Sequence, residues 1–164
     1  MKKLSMALIL TCMGLMSLRA ATVSVLVVEA GLPPGVKSSI SASIWESGLM
    51  DAFFDAGHIV FNAPVMHIKE ISGSLPPDVM RDFNEARLGG ADFFVLVLLN
   101  YSGNNQEKLP EYPNEVLLKV FQVSTGSLLY ETSITGWTKK TADEEFLIAK
   151  QNAGKLIPRL LVKG

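Results

Sequence analysis

The residues of this chain whose types could support catalysis or metal binding are few and scattered. His58 and His67 are the only histidines, and they lie nine residues apart across Pro64. Neither has a cysteine or a carboxylate at the spacing of a metal site. His58 follows Ala56-Gly57 at the expected end of a helix, where a cation is favourable, so we expect it to cap that helix. The sequence therefore predicts no metal site.

Glu46 is the carboxylate with the most unusual sequence context. Helical periodicity places it on an apolar stripe, one turn before Leu49, Met50 and Phe53. A buried carboxylate needs a partner or a raised pKa, and either would make it a candidate site residue. The simpler interpretation is that Glu46 lies near the rim of the stripe and reaches water. A pocket near Glu46, His58 and His67, in a small-ligand-binding or enzymatic domain, is the alternative function.

Signature motifs of common enzyme classes do not occur in the sequence. It contains no Gly-x-Ser-x-Gly elbow and no Ser-x-x-Lys signature. Gly31 and Gly35 bracket two prolines, which removes backbone donors that a phosphate-binding loop needs. Asp51 and Asp55 lie one turn apart on the polar face of a predicted helix, which favours solvated side chains over a catalytic pair. We therefore expect no enzymatic activity and no cofactor.

The first 20 residues have the pattern of a secretory signal peptide. Met1-Lys2-Lys3 is basic, Leu4–Leu18 is mostly apolar, and Arg19-Ala20-Ala21 supplies small residues for cleavage. We therefore expect residues 1–20 to be removed and residues 21–164 to form one α/β domain, periplasmic or secreted. A membrane anchor is the alternative, although the apolar segment is shorter than the roughly 20 residues of a spanning helix. We expect no membrane span in the mature chain.

Cys12, the only cysteine, raises the alternative of a lipid-modified N-terminus. Thr11 is large for the residue before such a cleavage, and the apolar run continues beyond Cys12, so we favour the ordinary signal peptide. Cleavage near Ala20 would leave no cysteine, and the core alone would have to hold the fold in an oxidising compartment.

The mature chain is expected to be mildly acidic. The full chain has 15 basic and 16 acidic residues, and loss of Lys2, Lys3 and Arg19 leaves 12 basic residues and a net charge of −4. This charge argues against nucleic acid or anionic lipid as the main partner. Because 48% of the residues are apolar, the chain can build an ordinary core.

Hydrophobic periodicity predicts an α/β (α+β) fold with a single mixed five-stranded sheet packed with three helices, in the order β-α-β-α-β-β-β-α. The first three strands are expected to be parallel with right-handed connections, and the last three antiparallel. The stretch Val65–Ser74 has no assignment. The predicted strands are Thr22–Glu29, Ile59–Phe61, Phe93–Leu99, Asn114–Val123 and Ser127–Thr135, and the predicted helices are Ser38–Gly57, a short one between Leu75 and Gly89, and one that follows Thr141.

Two regions are candidate binding surfaces. Ile40 and Ile44 fall on the side of the first helix that carries Asp51, so they could face a partner. The polar segment Tyr101–Pro113 is long for a connection between strands, and such loops are often functional, although a disordered hairpin tip is the alternative. The candidate binding residues are Tyr101, Asn104, Tyr112, Ile40 and Ile44.

Several motifs together resemble a known domain family. They are the first strand Val23–Val28, the helix end Asp55-Ala56-Gly57-His58, the entry Gly89-Gly90-Ala91-Asp92-Phe93 and the hairpin Val123–Leu129 with Thr125-Gly126 at its turn. The sequence is similar to the small periplasmic α/β domain of three groups. These groups are the N-terminal domain of the Tol-system propeller protein, the periplasmic domain of the curli secretion channel, and the outer-membrane lipoproteins that activate penicillin-binding proteins.

The resemblance implies a non-enzymatic assembly, docking or regulatory module at the bacterial envelope, so no catalytic residue is carried over. It implies an envelope protein as partner, with a homo-oligomer as a further expectation. The chain departs from the lipoproteins because Cys12 lacks a convincing lipidation context, and from the propeller protein because we expect residues 21–164 to form a single domain without a second one.

Overall fold

The computed structural model describes residues 20–33, 35–70, 75–102, 112–136 and 141–161. The predicted signal peptide with Cys12, and the candidate residue Asn104, lie outside these ranges. The elements in chain order are β1 (Thr22–Ala30), α1 (Ile40–Asp55), β2 (Ile59–Asn62), β3 (Met66–Ile68), α2 (Pro77–Leu88), β4 (Phe93–Asn100), β5 (Glu115–Gln122), β6 (Ser127–Thr135) and α3 (Ala142–Leu161).

The described strands form one mixed sheet in the order β2-β1-β4-β5-β6, and β3 also pairs with β1. Strand β1 is parallel to β2, β3 and β4, whereas β4, β5 and β6 are antiparallel to one another. The predicted mixed α/β fold with its three helices is confirmed among the described residues. The sheet has a sixth strand, β3, which lies in the stretch without an assignment.

The extra strand arises because β1 is longer than its first neighbour. Strand β2 covers only the first half of β1, and Pro64 cannot continue the ladder because it has no N–H. Pairing resumes at Met66, opposite Val28, and brings His67 beside Glu29. Two short strands therefore share one edge of β1.

Helices cover both faces of the sheet. Helices α1 and α3 pack on the face that carries Val25, Val97 and Leu118. Helix α2 packs through Val79 and Phe83 on the opposite face. This explains the unbroken apolar runs of β1 and β4, because a central strand with covered faces needs apolar side chains on both.

The family-like motifs have clear structural roles. Asp92 accepts a 2.8 Å hydrogen bond from the Thr22 N–H, so it joins the starts of β4 and β1. At the β5–β6 turn, the Thr125 Oγ1 accepts from the Ser127 N–H at 3.3 Å. These residues position the sheet, and each does so through the backbone of a neighbouring strand or turn.

Candidate functional site

The carboxyl ends of β1, β3 and β4 meet at one edge of the sheet. The chain leaves β1 through α1 to reach β2 on one side, and later crosses through α2 to reach β4 on the other side. In open α/β sheets, binding sites form where the connections diverge in this way. We call the described surface at this edge the carboxyl-end face: residues 31–33 and 35–40, Lys69, Glu70, Ser102 and 112–114.

Gly31 holds the loops of this face together. Its N–H donates to the Ile68 carbonyl at 3.2 Å, which joins the ends of β1 and β3. A Cβ at Gly31 would lie 2.6 Å from the Ser102 Oγ and 2.9 Å from the Ser102 backbone nitrogen, and its φ is +75°. Only glycine fits this approach without strain.

Glu29 forms the centre of a buried polar network beneath the face. Its carboxylate is fully buried, and it accepts from the Ser38 Oγ at 2.9 Å and from the Ser39 N–H at 3.0 Å. The His67 Nδ1 lies 3.4 Å from the same carboxylate. Ser39 is the N-cap of α1, and its Oγ accepts from the Ala42 N–H at 3.2 Å. The carboxylate thus binds the first turn of the helix, where the helix dipole favours a negative charge.

A second buried carboxylate continues the network towards α3. Glu145, in the first turn of α3, accepts from the Ser41 Oγ at 3.1 Å and from the Trp45 Nε1 at 2.9 Å. Burial raises its pKa above the ordinary value, and these two hydrogen bonds oppose that shift. Glu145 therefore fixes the start of α3 against the first two turns of α1.

Tyr101 connects the two carboxylates. Its ring is fully buried, and its hydroxyl donates to the Ser39 Oγ at 2.7 Å. Burial is the main cause that raises its pKa to about 12, although hydrogen bonds to Ser39 and Ser41 act in the opposite direction. Tyr101 is therefore a protonated donor at neutral pH. It supports the face from below, and its ring is not part of the exposed surface.

The predicted binding residues are placed in different environments. Ile40, the first residue of α1, is 76% exposed at the carboxyl-end face. Ile44 is half-buried one turn later, and Tyr112 is half-buried before β5. The structure brings Ile40 and Tyr112 to the same end of the sheet.

The alternative pocket of Glu46, His58 and His67 does not form. The Glu46 Oε1 accepts from the Asn62 amide at 2.7 Å near the surface. His67 lies beside Glu29, whereas His58 lies near Ala21 at the other end of β1. Ala21 and Glu29 are eight positions apart along the strand, a distance of about 26 Å.

His58 corrects the expectation of a charged helix cap. It is buried, and its Nδ1 accepts from the Ala21 N–H at 3.2 Å. Burial lowers its pKa, so the neutral imidazole is favoured. Asp51 and Asp55 remain largely exposed, and both accept hydrogen bonds from Lys150, which join α1 to α3.

The network residues Glu29 and Glu145 were missed by the sequence analysis, although a signal existed. Glu29 continues the alternation Val23, Val25, Val27 onto the core face of β1. Glu145 precedes the buried Ala149 by one helical turn. A carboxylate in register with buried apolar residues indicates a buried acceptor.

Within the described ranges, no group of three or more histidine, cysteine or acidic residues is arranged to hold a metal ion. The helices of the described residues include none that is long and apolar enough to cross a membrane.

No family model matches the sequence, and no curated protein matches it. Among solved structures, the PelC dodecamer from Paraburkholderia phytofirmans is 14% identical, with a TM-score of 0.49 over 88% of this chain and 90% of that chain. TolB from Acinetobacter baumannii is 12% identical, with a TM-score of 0.42 over 88% of this chain and 29% of that chain. The LpoB C-terminal domain from Escherichia coli is 15% identical, with a TM-score of 0.41 over 79% of this chain and 94% of that chain.

TolB and LpoB belong to two of the groups named in the predicted resemblance, and the likeness of this chain to each is one of fold. At these identities the comparison describes the fold alone.

Proposed function

We propose that this protein is a non-enzymatic, periplasmic interaction or assembly module that binds an envelope protein through its carboxyl-end face. The observation that supports this proposal most strongly is the position of Ile40. A large apolar side chain, 76% exposed, directly follows an N-cap residue that is held by two buried groups. Buried apolar anchors in fixed positions contribute much of the binding energy of protein interfaces.

The network makes Ile40 a preorganised contact. Ser39 donates its N–H to Glu29 and accepts from Tyr101, so the backbone that carries Ile40 has little freedom. Binding to a fixed residue avoids the entropy that ordering a flexible loop would cost. The exposed Lys37 lies in the same loop. In this proposal it gives the partner a polar contact at the rim of the interface around Ile40.

The sequence also supports the proposal of a periplasmic module, because its first residues predict export. The basic and apolar segments before Ala21 have the order of a signal peptide, and residues 21–164 would carry the whole described sheet. In this proposal the leader is removed and the domain acts in the periplasm.

The test is affinity capture from an envelope extract with the exported protein, its Ile40→Ser variant and its Leu88→Ser variant. Leu88 is a matched control because it is 85% exposed at the end of α2, which packs on the opposite face of the sheet. We expect Ile40→Ser to lose a protein that both the wild type and Leu88→Ser retain. Equal recovery by all three proteins, or recovery of no specific protein, would contradict the proposal.

A further inference from the structure

The two edges of the sheet differ in how they are protected. At one edge, β2 has four residues and β3 has three, and Pro64 lies between them. Short strands and proline discourage the addition of another strand. At the other edge, β6 has nine residues without proline, and within the described residues it pairs with β5 alone. The outer edge of β6 is therefore the one suited to strand addition.

The side chains of β6 fit an apolar continuation of the sheet. Its one charged residue is Glu131. The Nζ of Lys119, on the neighbouring strand β5, lies 3.5 Å from the Glu131 carboxylate. Tyr130 and Ile134 are half-buried and pack against the core beneath α1 and α3. The core therefore extends to β6, the last described strand, and an added strand would cover the outer edge of β6.

Symmetry limits the ways in which β6 can pair with itself. A two-fold axis perpendicular to an antiparallel sheet places one residue opposite its own copy. With Glu131 on the axis, two like charges would face each other, which is unfavourable. With Tyr130 on the axis, the irregular pairing of β6 at Leu129 would lie beside the axis and disturb the contact.

Thr132 on the axis gives the most complementary register. Tyr130 then faces Ile134 of the second copy on the core side, and this contact occurs twice. On the other side of the sheet, Glu131 faces Ser133 of the second copy. Aromatic pairs with β-branched residues and threonine pairs are favourable across antiparallel strands.

We propose that β6 pairs antiparallel with β6 of a second copy of this chain, with Thr132 on the two-fold axis, so that the two sheets form one. This homodimer leaves the carboxyl-end loops of both copies uninvolved in the strand pairing. It is therefore independent of the envelope partner proposed above.

Site-directed cross-linking tests the register. In the protein exported with its own leader and carrying Cys12→Ser, Thr132→Cys brings two thiols face to face, and directly opposed residues have Cβ atoms about 4.5–5.5 Å apart. Ser127→Cys is the control, because in this register its two copies lie ten residues apart along the strands, about 33 Å. We expect a short bifunctional maleimide to link Thr132→Cys efficiently and Ser127→Cys hardly at all. Equal linking of both variants would overturn the register.

Sedimentation of unlinked protein tests the dimer itself. The wild type should show a concentration-dependent dimer. Thr132→Lys should raise its dissociation constant by about fivefold or more, because two lysines then face each other. Ser133→Lys should leave the constant unchanged or lower it, because the lysine faces Glu131. Circular dichroism confirms that each variant is folded. A wild type that stays monomeric at every concentration, or equal weakening by both lysines, would contradict the proposal.

Discussion

The two ends of β1 each bury a titratable side chain, but they bury it differently. At the carboxyl end, Glu29 accepts hydrogen bonds from Ser38 and Ser39, and it lies beside His67. At the amino end, His58 accepts from the Ala21 N–H, and its Nε2 is buried without a hydrogen-bond partner in the described part of the chain. One end is a satisfied network and the other contains an orphaned donor.

This difference indicates which end of β1 supports a rigid binding surface. A fully satisfied buried network fixes the groups that it connects. A buried donor without an acceptor costs about 1–3 kcal/mol of stability, and no hydrogen bond holds that group in place. The network lies under the end of the sheet where Ile40 is exposed, so the binding surface that we propose rests on the better-connected end.

Loss of the Glu29 carboxylate should have the largest effect. Glu29→Ala leaves the Ser38 hydroxyl and the Ser39 N–H without their acceptor, so we expect a loss of about 3 kcal/mol in the free energy of unfolding. Urea denaturation measures it. Glu46→Ala is the matched control, since Glu46 accepts its hydrogen bond from Asn62 near the surface, and it should cost below about 1 kcal/mol. Similar losses for the two variants would break the comparison between network and surface carboxylates.

Substitutions at Gly31 and Gly57 compare how tightly the chain is packed at the two ends of β1. Gly31→Ala and Gly57→Ala both place a Cβ on a residue with positive φ, which costs about 1–2 kcal/mol. The Gly31 Cβ would also meet Ser102 at 2.6 Å, whereas nothing lies within 4 Å of a Gly57 Cβ. We therefore expect Gly31→Ala to cost about 1–3 kcal/mol more than Gly57→Ala in urea denaturation. Equal costs would show that the loops at the carboxyl end are not tightly packed.

The two ends should also respond to acid in opposite directions. Burial lowers the pKa of His58 below 6.5, so the unfolded chain binds its proton first and stability falls as pH drops through about 6.5. Burial raises the pKa of Glu145 above 4.5, so the folded chain binds its proton first and stability rises as pH drops towards about 4.5.

Difference curves isolate the two effects. The stability of the wild type minus that of His58→Gln should fall on acidification, and the stability of the wild type minus that of Glu145→Gln should rise. Urea denaturation over a series of pH values measures both. Slopes of the same sign would contradict the assigned protonation states.

The smallest stability effect is expected at the surface. Ile40→Ser and Leu88→Ser remove exposed apolar side chains, so each should change the free energy of unfolding by less than about 0.5 kcal/mol. Thermal unfolding checks this. A large loss for Ile40→Ser would mean that Ile40 is part of the core, and the capture experiment would then report misfolding.

Much of the fold could be predicted from the sequence because local patterns were strong. The unbroken apolar runs of β1 and β4 identified the central strands, and the mismatch of Ile40 with the buried stripe of α1 identified an exposed position. Strand β3 could not be predicted, since three residues of Met66–Ile68 give too little periodicity.

The polar network was harder to predict because its contacts are distant in sequence. Ser41 and Trp45 meet Glu145 across about 100 residues, and Tyr101 meets Ser39 across 62. The state of His58 likewise depends on Ala21, 37 residues away. No local pattern reports such pairs, although the position of Glu29 in an apolar alternation did indicate burial.

Site-specific photo-cross-linking in cells tests the central claim most directly. A photoreactive phenylalanine analogue is placed at Ile40 or at Leu88 in the exported protein, and adducts are separated after illumination. The carboxyl-end face predicts a discrete adduct with another protein from position 40 and none from position 88. An adduct from position 88 alone, or no adduct from position 40, would contradict it.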